Sequence, residues 1–183
     1  DFIIDASGVS KTKNEWKKLT KNYKKLKILF TYDHPLSEIV LVLGANENLY
    51  KDNYRFISTS ICDATALAPF IKLINNNFEV SRGHVTTVHP VLNYQNLLDG
   101  RSQSDSYPGT TFKNYSLGRS TIDNIIPKPT TALKITGKSL QKFDISKISG
   151  FSYRVPTTLV GSANICLILK QKFTSSQILN LIK

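Results

Sequence analysis

A cysteine placed between a strand pattern and a helix pattern constrains this chain more than any other feature. Residues 55–60, which include Phe56, Ile57 and Thr59, predict a strand, while residues 64–75 predict an apolar helix. Cys62 therefore lies at or near a helix N-terminus, where free backbone N–H groups and the helix dipole favour a thiolate. A buried, inert cysteine is the commoner occupant of such a junction, so the pattern alone gives a hypothesis.

A histidine ends the next strand pattern. Residues 79–91 predict a long β-branched strand that closes on Thr86-Thr87-Val88-His89. An imidazole can act as ion-pair partner and proton carrier for a thiolate nucleophile. The order strand, cysteine, helix, strand, histidine therefore predicts a Cys62–His89 catalytic pair.

The first sixty residues alternate strands and a helix. The pattern predicts strands at 2–5, 28–32 and 38–43, and an amphipathic helix at 13–26 that carries Trp16. This alternation is typical of a parallel sheet with helical crossovers. We expect the closing part of a Rossmann-type sheet here.

Beyond Cys62 the pattern changes to long strands separated by wide loops, with further strands predicted at 148–155 and 160–170. Such strands favour a mixed, largely antiparallel sheet. The predicted fold class is thus α/β followed by α+β, with domains at 1–60 and 61–183. The chain has no methionine and opens directly on a strand, which is unusual for an intact domain.

The large positive net charge does not by itself indicate a nucleic-acid partner. The net charge is +11, but lysine far outnumbers arginine, and the lysines at 17–25 lie on one predicted helix face. Nucleic-acid recognition typically uses arginine, so we expect a solvated basic face and no nucleic-acid partner. No apolar run reaches the ~18 residues of a membrane span, and two cysteines fit a reducing compartment.

Seven short segments carry a family resemblance and occur in the family's order. They are Asp1–Val9, Val42–Asn46, Ile57–Pro69, Thr86–His89, Leu98–Gly100, Asn124–Pro127 and Gly150–Thr157. Through nearly its whole length the chain therefore resembles the glyceraldehyde-3-phosphate dehydrogenase family.

The resemblance implies roles for individual residues. It implies that Cys62 is the nucleophile and His89 its base, and that Arg154 holds the substrate phosphate. Thr130 matches a threonine that binds the attacking phosphate, with the N-cap of a helix near Ala132 as the alternative. The residues implied to contact NAD or NADP are Ser7, Gly8 and Thr31.

The resemblance also implies that this chain is an internal fragment in which both domains are incomplete, and that it is inactive alone. For the full-length enzyme it implies an aldehyde substrate, a homotetramer and a cytoplasmic location. It implies that the loop 99–119 packs on a neighbouring subunit; a surface insertion is an equal alternative. With no second ligand at metal spacing near any histidine, we expect no metal site.

Several positions depart from the family pattern. Ile61 and Asp63 flank the cysteine where the family has serine and threonine, and Leu92 and Tyr94 replace two threonines of the substrate-phosphate site. A carboxylate at Asp63 repels inorganic phosphate and could favour attack by water. A related aldehyde substrate therefore stays open, as does a non-catalytic paralogue that keeps the fold for assembly or binding.

The remaining cysteine and histidines are expected to be structural. Cys166 lies mid-strand and is predicted to be buried and inert. His84 is five residues before His89 on the same strand and so faces the opposite side. His34 precedes Pro35 and is predicted to be a loop residue.

Overall fold

The computed structural model describes residues 1–8, 13–93, 95–101 and 115–183. They form two compact units. The first contains residues 1–81, 131–147 and 169–183, and the second contains residues 82–130 and 148–168. The predicted domain boundary at Ser60 stays a prediction, since the units are interleaved along the chain.

The first unit contains an all-parallel sheet of four short strands. They are β1 (Phe2–Asp5), β2 (Lys27–Phe30), β3 (Ile39–Val40) and β4 (Phe56–Ser58). Their order is β1-β2-β4-β3. The carboxyl ends of parallel strands meet at one edge of a sheet, which is where ligands bind in α/β folds.

Four α-helices begin in the first unit. They are α1 (Lys13–Asn22), α2 (Cys62–Phe78), α3 (Ala132–Ser139) and α4 (Ser175–Ile182). Lys17, Lys18 and Lys21 of α1, with Lys24 and Lys25 in the turn after it, are exposed, as expected for a solvated face. The capping box of Thr174 and Gln177 begins α4.

The core of this unit contains two buried clusters, one on β2 and one under α2. Leu26, Ile28 and Phe30 form one buried cluster, against which Trp16 packs from α1. A second cluster joins Val40 on β3 to helices α2 and α3 through Ala64 and Ile135. Burial of each large apolar side chain stabilises the fold by about 1.5–3 kcal/mol, so these clusters fix the start of α2 against the sheet.

The second unit is built on a mixed sheet. Its strands are β5 (Val80–His89), β6 (Ile126–Lys128), β7 (Ile148–Arg154) and β8 (Ser162–Leu169), in the order β6-β7-β5-β8. The pair β5–β7 is parallel and the pair β6–β7 antiparallel. The predicted fold class, a parallel sheet followed by a mixed sheet, is confirmed.

Element lengths differ from the sequence predictions in physically explicable ways. Helix α1 ends at Asn22, four residues early, because the next segment turns so that Leu26 enters the core. Helix α2 is longer than predicted at both ends and begins at Cys62 itself. Strand β3 has only two residues, because the chain turns at Gly44, whose φ of +78° suits glycine.

The prediction that Cys166 is buried was wrong. Strand β8 is the end strand of its sheet, and alternate side chains along it are exposed, including Cys166 and Ile168. A uniformly apolar run is typical of a central strand that is buried on both faces, but a strand at the edge of a sheet is covered on one side only.

Candidate active site

The nucleophile candidate is the first residue of α2. The chain reaches it through Ser60, a buried non-glycine residue with φ of +76°, and through Ile61 in extended conformation. A left-handed residue costs of order 1–3 kcal/mol and is held there by its surroundings, here including a hydrogen bond from Ser60 N–H to Ser58 Oγ of 3.1 Å. The turn directs Cys62 onto the helix N-terminus.

Cys62 is exposed, so an electrophile can reach its sulfur. The N-cap residue of α2, Ile61, makes no side-chain cap bond. The N–H groups of the first turn point towards the end of the helix at which Cys62 lies. The thiol donates to the neighbouring Asp63 carboxylate over 3.8 Å. The half-buried Asp63 thus adds a negative charge beside the nucleophile, as its position in the sequence predicts.

The three predicted cofactor residues also lie at the carboxyl edge of the parallel sheet. Ser7 and Gly8 directly follow β1, and Thr31 directly follows β2. The N–H of Thr31 donates to the Asp5 carbonyl over 3.0 Å, which joins the two strand ends. Gly8 has φ of +66° and open space where a Cβ would lie, so a ligand can approach this backbone closely.

The same edge continues to the cysteine. Thr59 N–H donates to the Phe30 carbonyl over 2.8 Å, and the Ser58 hydroxyl donates to the Tyr32 carbonyl over 2.8 Å. The end of β2 is therefore tied to the segment that leads into α2. The first unit brings Cys62, Asp63, Ser7, Gly8 and Thr31 to one edge of its sheet.

Sequence reasoning missed a carboxylate network at this edge. The Asp5 side chain accepts from Ser7 Oγ over 2.6 Å, from Ser7 N–H over 3.0 Å and from Tyr32 Oη over 2.8 Å. Burial raises the pKa of Asp5, but these hydrogen bonds outweigh it and hold that pKa below its usual value. Burial, followed by the bond to Asp5, raises the pKa of Tyr32 to about 12.

In the second unit the sheet register brings His89 and Arg154 together. Each is the last residue of its strand, and they are paired across β5 and β7, whose chains lie about 4.8 Å apart. Arg154 is 9% exposed and donates to the Pro90 carbonyl over 2.6 Å. A buried guanidinium beside an imidazole gives this strand end a positive character suited to an anion.

A hydroxyl pair that sequence reasoning missed stands behind His89. Thr87 Oγ1 lies 3.1 Å from His89 Nε2 and 2.5 Å from Ser152 Oγ. Thr87 and Ser152 are buried, so they orient the imidazole. Residues two apart on a strand lie on the same face, so the spacing from His89 could have pointed to Thr87. It could not have pointed to Ser152, which lies on another strand.

The other histidines lie elsewhere. His84 contacts Ser149 through Nδ1 at 2.8 Å and packs on Phe151, on the face opposite His89, which supports a structural role. His34 lies in a loop as predicted but is buried, and its ring stacks on Phe30 at 4.0 Å.

Thr130 is not paired with the His89–Arg154 strand end. Ile126 lies opposite Arg154, and the antiparallel β6 then runs away from it towards Thr130. Helix α3 begins at Ala132 as predicted, but its N-cap residue is Thr131, and that residue makes no side-chain cap bond. The assigned N-cap thus lies one residue after Thr130, and both the capping alternative and the phosphate role of Thr130 stay predictions.

Of the positions that depart from the family pattern, Leu92 is half-buried in a turn closed by Gln95, which accepts from its N–H over 2.9 Å. Tyr94 and residues 102–114 of the long loop lie outside the described residues.

Within the described ranges, no three histidine, cysteine or acidic side chains gather as metal ligands. No helix in that part of the chain combines the length and apolarity needed to cross a membrane.

Because both cysteines are exposed, their relative reactivity reports on their surroundings. We expect iodoacetamide to alkylate Cys62 at least about tenfold faster than Cys166 at pH 7, since only Cys62 lies at a helix N-terminus. Peptide mass spectrometry of the native full-length protein measures both rates. Asp63→Asn should increase the Cys62 rate further, while equal rates at the two cysteines would remove the case for activation.

Comparisons with known proteins agree with this arrangement. Residues 61–183 match the family model described as glyceraldehyde 3-phosphate dehydrogenase, C-terminal domain. The whole chain is 33% identical to a cytosolic glyceraldehyde-3-phosphate dehydrogenase of Antirrhinum majus and 34% identical to that of Pisum sativum, covering 51% of each. Over 97% of its length it is 33% identical to the Wickerhamomyces ciferrii enzyme, covering 50% of it.

The chain thus spans about half the length of the relatives that it matches. The predicted resemblance is confirmed, because the family model covers all of the chain from the residue before Cys62 onward. This chain belongs to the glyceraldehyde-3-phosphate dehydrogenase family.

Proposed function

We propose that the full-length protein oxidises an aldehyde, either glyceraldehyde 3-phosphate or a related phosphoaldehyde, with NAD or NADP as hydride acceptor. The observation that carries this proposal is the exposed Cys62 at the start of α2, on the sheet edge that also bears Ser7, Gly8 and Thr31. Membership of the family supports the reaction class.

The chemistry assigned to Cys62 is nucleophilic. Its thiolate adds to the aldehyde carbonyl to form a hemithioacetal, and the new oxyanion takes a proton. His89 removes a proton from that hydroxyl as the C–H hydride leaves, so that a thioester remains on the sulfur. Phosphate or water then displaces the thiolate from the thioester, which releases an acyl phosphate or a carboxylic acid, respectively.

The dinucleotide supplies the hydride acceptor, and the residues at the parallel edge fit such a group. Gly8 provides open backbone at a positive φ, and Ser7 and Thr31 follow adjacent parallel strands, the usual place for a dinucleotide. The hydroxyls of Ser7 and Thr31 are held by Asp5, so the role assigned to these residues is to shape the edge and offer backbone groups.

The substrate phosphate is assigned to Arg154. Its guanidinium is buried at a strand end beside His89, and it donates to the Pro90 carbonyl named above. Arginine can bind phosphate through two donors at once. Thr130 is proposed to bind the attacking phosphate near the N-terminus of α3.

The proposal extends to the whole molecule. A homotetramer that works in the cytoplasm is proposed from the family, several of whose members named above are called cytosolic. A non-catalytic paralogue is the rival proposal, favoured by the Asp63 carboxylate that accepts from the Cys62 thiol.

Capture of the thioester separates the two proposals. We expect the full-length protein, mixed with glyceraldehyde 3-phosphate and NAD without inorganic phosphate and quenched in acid, to carry an acyl group on the peptide with Cys62. The peptide with Cys166 serves as the internal control. Acyl adducts on both peptides, or on neither peptide with either NAD or NADP, would favour the non-catalytic paralogue.

A further inference from the structure

A cleft in the first unit lies among residues to which no role has been given above. Its volume is about 350 Å³, at the lower end of the range for small-molecule sites. Its walls are the turn after β3, the second half of α2 and the end of α3 with the residues that follow it. We infer that this cleft binds a small phosphate monoester with a compact apolar group.

One wall is rigid. The buried side chain of Asn46 accepts from Val42 N–H and donates to the Val40 carbonyl, both over 2.8 Å. Asn46 N–H donates back to the Val42 carbonyl over 3.0 Å. A turn held by three such bonds presents its outer residues in fixed positions, which lowers the entropic cost of binding.

The polar lining of the cleft consists of donors for an anion. Lys142 lines the cleft and is exposed, as are Asn76 and Gln141. Asn75 uses its carbonyl oxygen to accept from Val80 N–H over 3.1 Å, which leaves its NH₂ group for a ligand. One ammonium and several amide N–H groups match the oxygens of a phosphate.

A second ammonium is shared with the protein. Lys72 donates to the Gly44 carbonyl over 3.3 Å. Glu47 lies close to it: backbone hydrogen bonds at Glu47 and Gly44, and then the charge of Lys72, hold the pKa of Glu47 below its usual value. Glu47 does not line the cleft, and no acidic residue does among those described. Lys72 is thus partly neutralised, and Lys142 supplies the charge that selects an anion.

The floor is apolar. Leu140 is buried at the end of α3, and Phe143 is held by a bond from its N–H to the Leu140 carbonyl of 2.9 Å. Lys147 lies 5.9 Å from the centre of the Phe143 ring. An apolar floor under cationic walls fits an ester whose ring or alkyl group packs on Phe143 and Leu140, and a free inorganic anion would leave that floor uncovered.

Calorimetry of the full-length protein tests this inference with phenyl phosphate as the probe. We expect phenyl phosphate to bind the unmodified protein and to bind Lys142→Gln about tenfold more weakly. This effect is at the low end for a charge-assisted hydrogen bond, because Lys142 is exposed. Lys134→Gln is the matched control, since it removes an exposed lysine of α3 outside the cleft. Asn76→Trp, an exposed position on the rim, should block binding by filling the space.

The outcomes separate the cleft from the proposed active site. Binding that survives Arg154→Gln but weakens in Lys142→Gln assigns phenyl phosphate to the cleft whatever the catalytic assays give. Equal affinity for benzyl alcohol would overturn the anion requirement, and equal affinity for inorganic phosphate would overturn the apolar one. Binding unchanged in both Lys142→Gln and Asn76→Trp, or undetectable at millimolar probe, would overturn the inference.

Discussion

Replacing His89 with asparagine is expected to slow acylation of Cys62 by roughly two to four orders of magnitude, the usual size of a general acid–base contribution. Asparagine keeps a polar side chain at the end of β5 but cannot carry a proton between the hemithioacetal and solvent. Single-turnover formation of reduced dinucleotide measures the acylation rate, and fluorescence titration measures dinucleotide affinity, which should hardly change.

The strand offers a matched control for this experiment. His84→Asn changes the same residue type on the same strand but on the opposite face, where the imidazole contacts Ser149. It should leave acylation nearly unchanged. Slowing by both variants to the same degree, or loss of folded protein in His89→Asn, would assign His89 a structural role.

The buried pair behind the imidazole extends the test. Thr87→Val keeps the shape of the side chain and removes the oxygen that lies 3.1 Å from His89 Nε2. If Thr87 positions the ring, this variant should slow acylation less than His89→Asn does and shift its pH profile. A merely structural Thr87 would change stability and leave the profile unmoved.

Much of the sheet edge that carries Cys62 could be predicted because its causes are local. The strand-to-helix switch around Cys62 follows from a β-branched run followed by an alanine-rich apolar run, and the structure begins α2 at that cysteine. Parallel strands then bring the residues after β1 and β2 to the same edge without further information.

The parts that could not be predicted depend on contacts between distant segments. Ser152 meets Thr87 only because β5 and β7 pair in one particular register. Tyr32 reaches Asp5 across adjacent strands joined by α1. Such registers follow from the packing of whole sheets, and no local pattern near Ser152 or Tyr32 encodes them.

Cys166 illustrates the same limit for burial. The run from Ile165 to Leu169 is uniformly apolar, which predicts a strand covered on both faces. In the structure β8 ends its sheet, and the Cys166 side is exposed. Position within a sheet decides burial, and a single strand's composition does not report that position.

The second large effect concerns phosphate. We expect the full-length protein to oxidise glyceraldehyde 3-phosphate slowly and to gain little rate from inorganic phosphate, because a carboxylate at Asp63 repels that anion and Leu92 offers no hydroxyl. Restoring the family's residues with Asp63→Thr, Leu92→Thr and Tyr94→Thr should raise phosphate-dependent turnover by one or more orders of magnitude. Steady-state formation of reduced dinucleotide, measured against phosphate concentration, gives this comparison.

Physical magnitudes support an effect of that size. Each charge-assisted hydrogen bond to an anion contributes about 1.5–3 kcal/mol, and every 1.4 kcal/mol corresponds to about a tenfold change. The three substitutions act on shared ligands and will not be additive. Asp63→Asn alone separates the two causes, because it removes the charge beside the Cys62 sulfur without restoring the hydroxyl of a threonine.

If Asp63→Asn recovers most of the phosphate dependence, repulsion by the carboxylate is the main cause of its weakness. If only the triple variant recovers it, the missing hydroxyl groups are the main cause. Strong phosphate-dependent turnover by the unmodified protein would contradict the expectation for Asp63, Leu92 and Tyr94 together. It would mean that the buried Arg154 guanidinium, at the strand end beside His89, provides enough positive charge to hold the substrate without those hydroxyls. The catalytic pair would then tolerate a carboxylate within reach of its thiol, and phosphate transfer would depend on charge at the strand ends more than on hydroxyl donors.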